Sequence, residues 1–159
     1  MNETIPEIPE ALDTDVFITR AFAAPRDVVW RFFTEPALLA TWFGPSSVHV
    51  DPATVKVELH PGGAWDLDMV DNETGEHYPF RSKLTAVIPP EYLEGGEVTS
   101  AEVGPADRIS LRIWLHDHGP KTRLTLHQGP FTPEYRDLTR DGWLLSFDKI
   151  DNAIEEGIA

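Results

Sequence analysis

The chain reads as an α+β domain. A curved antiparallel sheet of about six or seven strands wraps around one long C-terminal helix, and two short helices follow the first strand. Three observations predict this. The segment opening with Asp141-Gly-Trp-Leu-Leu-Ser-Phe-Asp148 places Trp143, Phe147, Ile150 and Ile154 at helical spacing, so they share one face. Ahead of it lies a long run of segments in which apolar and polar residues alternate. Short turns join those segments, which makes consecutive strands antiparallel neighbours. So wide an aromatic stripe needs a broad apolar surface to cover, and the sheet supplies it. The result is a container, with room between sheet and helix.

The first strand is predicted from about Thr14 to Ala23. Pro25 suits the first turn of a helix, whose apolar face carries Val28, Val29, Phe32 and Phe33, with Trp30 beside it. Glu35-Pro36 restarts the chain into a second short helix that buries Leu38, Leu39, Trp42 and Phe43 and ends at Gly44-Pro45. A strand with Val55, Val57 and Leu59 comes next, then a Pro61-Gly62-Gly63 turn, then a half-buried strand with Trp65, Leu67 and Met69 inward and Asp66 and Asp68 outward. After the turn at Asp71 to Glu76, alternation continues from Tyr78 through Phe80, Ser82, Leu84 and Ala86 to Pro89-Pro90. A weaker strand covers Tyr92 to Val98. Ile109, Leu111, Ile113 and Leu115 mark the sixth strand, and Leu124 and Leu126 the seventh, beyond the His118-Gly119-Pro120 turn. Gly129-Pro130 closes the sheet, and the last helix is expected over residues 134 to 155.

A chain of 159 residues suits one domain, and a core of that size needs no disulfide or metal. Residues 1 to 12 read as an acidic, mobile tail: Glu3, Glu7 and Glu10 alternate with Pro6 and Pro9. Residues 13 to 159 form the domain. The absence of cysteine excludes thiolate catalysis and thiolate zinc sites and fits a cytoplasmic protein. The N-terminus lacks the basic and apolar regions of a signal peptide, and no apolar run approaches a membrane span. The formal net charge of -14, from 13 Lys and Arg against 27 Asp and Glu, repels phosphate backbones and anionic membranes, so no nucleic acid is expected as a partner.

Four segments carry a family resemblance. They are Arg20-Ala-Phe-Ala-Ala-Pro25 with Val29-Trp30; Trp42-Phe-Gly-Pro45; His60-Pro-Gly-Gly-Ala-Trp65; and Thr122-Arg-Leu-Thr-Leu-His127 with Gly142-Trp143. In this order they resemble the helix-grip, START-like (SRPBCC) superfamily, and within it the family named for the activator of the ninety-kilodalton heat-shock protein's ATPase. The resemblance implies an apolar cavity between sheet and helix, which relatives use for lipids, polyketides or other hydrophobic ligands. His60 stands where the family often has Arg, and Asp66 where it often has a basic or neutral residue.

The residues expected to line that cavity are Trp30, Phe33, Trp42, Trp65, Leu67, Met69, Phe80, Leu111, Ile113, Trp143 and Phe147. Trp65, Phe80 and Trp143 lead the set, and plain core packing is the competing reading for the rest. His116-Asp117-His118 is the one close histidine pair, but His118 precedes a turn and no third ligand is near, so no metal is expected. His127 faces away from the core by parity. Asp66 and Asp68 have the spacing of an acid–base pair but also of an ordinary polar strand face. No nucleophile elbow, phosphate loop or dinucleotide fingerprint is present, so neither a catalytic residue nor a cofactor is expected. The leading functional expectation is a binding protein for a small hydrophobic ligand, in which a homodimer is compatible with the sequence. The alternatives are a chaperone-regulator-like interaction module and a cyclase- or hydratase-like enzyme that uses the same cavity.

Overall fold

The computed structural model describes residues 4–98, 104 and 108–158. Eight strands and three α-helices follow one another as β1 (Val16–Phe22), α1 (Arg26–Thr34), α2 (Pro36–Leu39), β2 (Val48–Val50), β3 (Lys56–Val57), β4 (Ala64–Asp71), β5 (His77–Ile88), β6 (Tyr92–Val98), β7 (Arg108–His118), β8 (Lys121–Gly129) and α3 (Pro133–Glu155). The sheet order is β1-β8-β7-β6-β5-β4-β2, every pairing is antiparallel, and β3 also pairs with β4. The long helix covers the inner face, burying Trp143, Phe147 and Ile150, while Ile154 packs at the edge of the core.

One predicted strand needs correction. Val55, Val57 and Leu59 do not alternate along a continuous strand; only Lys56–Val57 pairs, and Leu59 is exposed. Pro52 has no N–H to give a ladder and starts a 3-10 turn over Pro52–Thr54, with the Asp51 carboxylate accepting the Ala53 N–H. The chain therefore meets the free edge of β4 in two short pieces. β2 pairs with Met69–Asp71 and β3 with Trp65–Asp66, and the Thr54 hydroxyl bridges the gap by accepting the Asp68 N–H at 2.8 Å. His118 likewise ends β7 in register with Lys121 rather than lying in the turn.

The end of α1 is anchored by side chains from elsewhere. The last carbonyls of a helix have no partners within it. Here the Trp42 indole N–H donates to Phe32 O and the Trp65 N–H to Phe33 O, both at 2.8 Å. At the other margin, Arg20 of β1 reaches Asp148 and Asp151 of α3 and lies 4.7 Å above the Phe22 ring, which staples the first strand to the last helix. Those two carboxylates raise the Arg20 pKa, Asp151 contributing most.

The outer face of the sheet is partly covered. Trp114 points outward by strand parity yet is buried against Tyr92, with ring centroids 5.3 Å apart. Its indole N–H donates to Pro6 O at 2.9 Å, so the acidic N-terminal segment is tied to the sheet at that point. Nearby, His127 also lies on the outer face, as parity requires, and is covered by Phe17 and by Asp15, whose carboxylate is 2.8 Å from its Nε2. Deleting residues 1 to 12 removes the Pro6 acceptor and leaves a buried indole N–H without its partner. A loss of about 1 kcal/mol is expected in denaturant unfolding, together with a red shift of tryptophan emission. An unchanged midpoint and spectrum would show that the contact contributes nothing.

Candidate functional site

The first half of α3 builds the site. Thr132 is its N-cap, Pro133 occupies the first turn without wasting a donor, and Glu134 sits favourably at the positive end of the dipole. The helix presents two stripes. Trp143, Phe147 and Ile150 enter the core, whereas Tyr135, Leu138, Thr139, Gly142 and Ser146, also at helical spacing, face a cavity of about 350 Å³. Met69, Phe80, Glu97 and Gln128 form its sheet wall, Phe43, Gly44 and Pro45 close one side, and Phe131 closes another. The wall is overwhelmingly apolar.

The loop after α2 holds its place for two reasons. Gly44 has φ of 96°, and a Cβ there would stand 2.6 Å from Val48 Cγ2, so no other residue fits. Lys149 of α3 donates to Pro45 O at 3.0 Å and to Val48 O at 3.2 Å, which ties the loop to the helix. Partial burial lowers the Lys149 pKa.

Two polar side chains reach the cavity from the sheet. Gln128 is 4% exposed, and its side-chain oxygen accepts the Trp143 indole N–H at 2.7 Å. An indole nitrogen can only donate, so that contact fixes the amide orientation and turns Nε2 away from Trp143. Glu97 lies on the inward row of β6 with Leu93 and Gly95, opposite Ile109. Among the described residues it has no hydrogen-bond or ion-pair partner, and burial pushes its carboxyl pKa up.

A raised folded-state pKa means that folded protein holds this proton more tightly than unfolded chain. The Glu97 carboxyl therefore adds full stability below its unfolded pKa and loses it as pH rises through the folded pKa. Glu97→Gln should melt at a higher temperature than the parent at neutral pH, and the gap should close as pH falls into the ordinary carboxylate range. Equal melting temperatures across that range would mean that the carboxylate is fully solvated.

Of the residues expected to line the cavity, Met69, Phe80 and Trp143 do so. Trp30, Phe33, Trp42 and Trp65 are packed around the end of α1, and Leu67, Leu111, Ile113 and Phe147 lie in the closed core; none of the eight reaches the cavity wall. Trp65 and Trp143 therefore do not share one open space: Phe43 stands between them, 5.9 Å from the first ring and 5.4 Å from the second. Asp66 and Asp68 lie on the outer face. Asp66 accepts the Ser82 N–H, and Asp68 binds His77 at 2.9 Å and Arg81 at 2.7 Å, contacts that lower its pKa. His116 approaches the Thr125 hydroxyl, and among the described residues no three His, Asp or Glu converge on a metal position. A second depression, of about 420 Å³, is bordered by Glu58, Asp66, Arg81, Lys83, Glu97 and Arg108, so Glu97 stands between the two spaces. The mixed charges of this depression give it the character of a hydrated surface groove.

A curled antiparallel sheet gripping a long helix, with an apolar cavity held between them, defines a helix-grip protein. The family model for Activator of Hsp90 ATPase homolog 1-like proteins matches residues 23–155, and the chain belongs to that family. Solved structures share the fold. A Nitrosomonas europaea protein is 25% identical over 94% of this chain and 100% of its own, with a TM-score of 0.77. The AHSA1 protein of Silicibacter pomeroyi is 23% identical over 90% and 99%, with a TM-score of 0.73. A protein of Arthrobacter aurescens is 19% identical over 96% and 93%, with a TM-score of 0.77. No curated protein matches the chain. Among the described residues no helix is long and apolar enough to cross a membrane.

Proposed function

We propose that this protein binds a small apolar molecule between the first half of α3 and the inner face of the sheet. One observation carries the reading: a space of about 350 Å³ stays open beside a core that is otherwise filled with aromatic rings. That volume falls within the range of small-molecule sites, roughly 300–1,000 Å³. Its walls would stabilise a ligand by removing apolar area from water, at roughly 25 cal/mol per Å². Leu138, 61% exposed, stands at the border of the cavity as an apolar lip over which such a ligand would enter.

The experiment is a titration with N-phenyl-1-naphthylamine, a neutral dye whose emission rises when it leaves water. A saturable blue-shifted signal with one dye per chain, displaced by fatty acids or aromatic polyketides, supports the reading. A weak signal that never saturates favours the interaction module, in which the acidic surface engages a protein partner. The enzyme reading gains one support, the Glu97 carboxyl on the cavity wall. A turnover assay on hydroxylated aromatic substrates with Glu97→Gln as control tests it.

A further inference from the structure

The chain carries a net charge of -14, yet one face of its sheet is basic. The outward positions of β7 include Arg108, Arg112 and His116, those of β8 include Lys121, Arg123 and His127, and no outward position on either strand carries a carboxylate. This face lies on the opposite side of the sheet from the cavity. The acidic segment ahead of β1 is laid over it. Asp15 holds His127 Nε2 at 2.8 Å, a turn from Leu12 to Asp15 reverses the chain, and Pro6 O accepts the Trp114 indole N–H at 2.9 Å. Opposite charges are thus brought together, but the segment makes little use of them. Among the described residues Glu7 and Glu10 are exposed and form no ion pair, and Lys121 and Arg123 have no carboxylate partner.

On the same face two buried side-chain nitrogens lack a hydrogen bond among the described residues, Arg112 Nε and His127 Nδ1. Glu94 Oε1 lies 3.5 Å from Arg112 Nε, too poorly aligned to satisfy it. Buried polar atoms left unpaired are costly, and these two belong to residues directly opposed in the β7–β8 ladder. Opposed side chains on one face start about 4.5–5.5 Å apart at Cβ, so one carboxylate can reach both. It would accept from Arg112 Nε–H and, with the imidazole charged, from His127 Nδ1–H, while Nε2–H stays with Asp15. We propose that the outer face of β7 and β8 docks an extended acidic segment of a partner protein, with one of its carboxylates between Arg112 and His127, and that residues 4–11 are a strap displaced when it docks. Among the described residues, one neutral hydrogen bond, from Trp114, holds the strap, whereas the incoming carboxylate makes charge-assisted ones. An extended chain can follow this basic row. A nucleic-acid duplex would bring its phosphates against the surrounding acidic surface.

The chain has no cysteine, so Thr4→Cys in the full-length protein gives one site for a bimane dye, whose emission a nearby indole quenches. Thr4 is exposed and two residues from Pro6, so the dye should be dim while the strap is held at Trp114. Titration with an acetylated Glu-Ile-Pro-Glu-Ile-Pro-Glu amide should restore emission and saturate. The same peptide with Gln for every Glu should bind at least ~10-fold more weakly. Arg112→Gln should weaken the acidic peptide by about 10-fold and leave the Gln peptide unchanged, whereas Arg31→Gln, on the exposed side of α1, should change neither. A dye that is bright before any addition overturns the strap. No response to the acidic peptide, equal affinity of the two peptides, or unchanged binding by folded Arg112→Gln overturns the carboxylate site and leaves the cavity reading untouched. A short DNA duplex that restores emission as well as the acidic peptide overturns the protein segment as occupant. If circular dichroism shows Arg112→Gln unfolded, the comparison of the two peptides on the parent decides alone.

Discussion

Replacing Trp143 by Ala is expected to lower the free energy of unfolding by about 3–5 kcal/mol. The ring is 6% exposed and packs against Phe43, Phe147 and Trp42 at centroid distances of 5.4, 5.7 and 6.4 Å. Truncation would leave a void continuous with the existing cavity, so the surrounding side chains gain nothing by collapsing into it. It would also strand the Gln128 oxygen, which has the indole N–H as its partner. Trp143→Phe separates the two contributions: most of the ring contact survives, the donor is lost, and a smaller loss of about 1–3 kcal/mol is expected. Denaturant titration measures both. A loss below about 1 kcal/mol for the alanine variant would mean that the helix does not cover the sheet in solution.

Filling the cavity should have the opposite signature, lost binding without lost stability. Gly142 lies on the cavity face of α3, and a Cβ built there meets nothing within 4 Å. Gly142→Leu places a branched side chain in the open space. It also removes a glycine from a helix interior, which is worth about 0.5–1 kcal/mol in stability. Affinity for N-phenyl-1-naphthylamine should fall by at least ~10-fold, on the order of 1.4 kcal/mol. The melting temperature should hold or rise. Unchanged dye binding by this folded variant would place the dye elsewhere and remove the main support for a ligand site. Leu111, although on an inward row, is no substitute as a plug, because it is buried in the closed core and does not border the cavity.

The architecture was legible because its signals are periodic and strong. The alternation through Trp65, Leu67 and Met69, and through Ile109 to Leu115, assigns the inner face correctly, and the stripe of Trp143, Phe147 and Ile150 orients the last helix. The cavity was less legible for the same reason. Periodicity finds the most apolar face, and that face fills the core. The face that borders open space mixes Thr139, Gly142 and Ser146 with Tyr135 and Leu138, so it carries no clear apolar stripe. Glu97 was within reach, since Leu93, Gly95 and Glu97 share an inward row, but two glycines make β6 a faint strand. Gln128 shares parity with Leu124 and Leu126, though its bond to Trp143 depends on how helix and sheet meet. The same holds for Pro6 and Trp114, which local pattern cannot bring together across the chain.

The strand order also governs how the molecule comes into being on the ribosome. Val16 through Phe22 pair residue by residue with Gln128 through Thr122, so β1 waits for its neighbour until nearly the whole sheet has been made. At about 5–20 residues per second that wait lasts several seconds. Meanwhile Phe22, Phe32, Phe33 and Trp42, all fully buried in the finished fold, have no inner sheet face or long helix to cover them. A nascent chain of this kind offers its aromatic N-terminal third to any factor that captures apolar segments during synthesis. Closure depends on pairings distant in sequence, which slows it relative to a helical bundle of equal size. Core and cavity cannot be completed until β8 and α3 have been made.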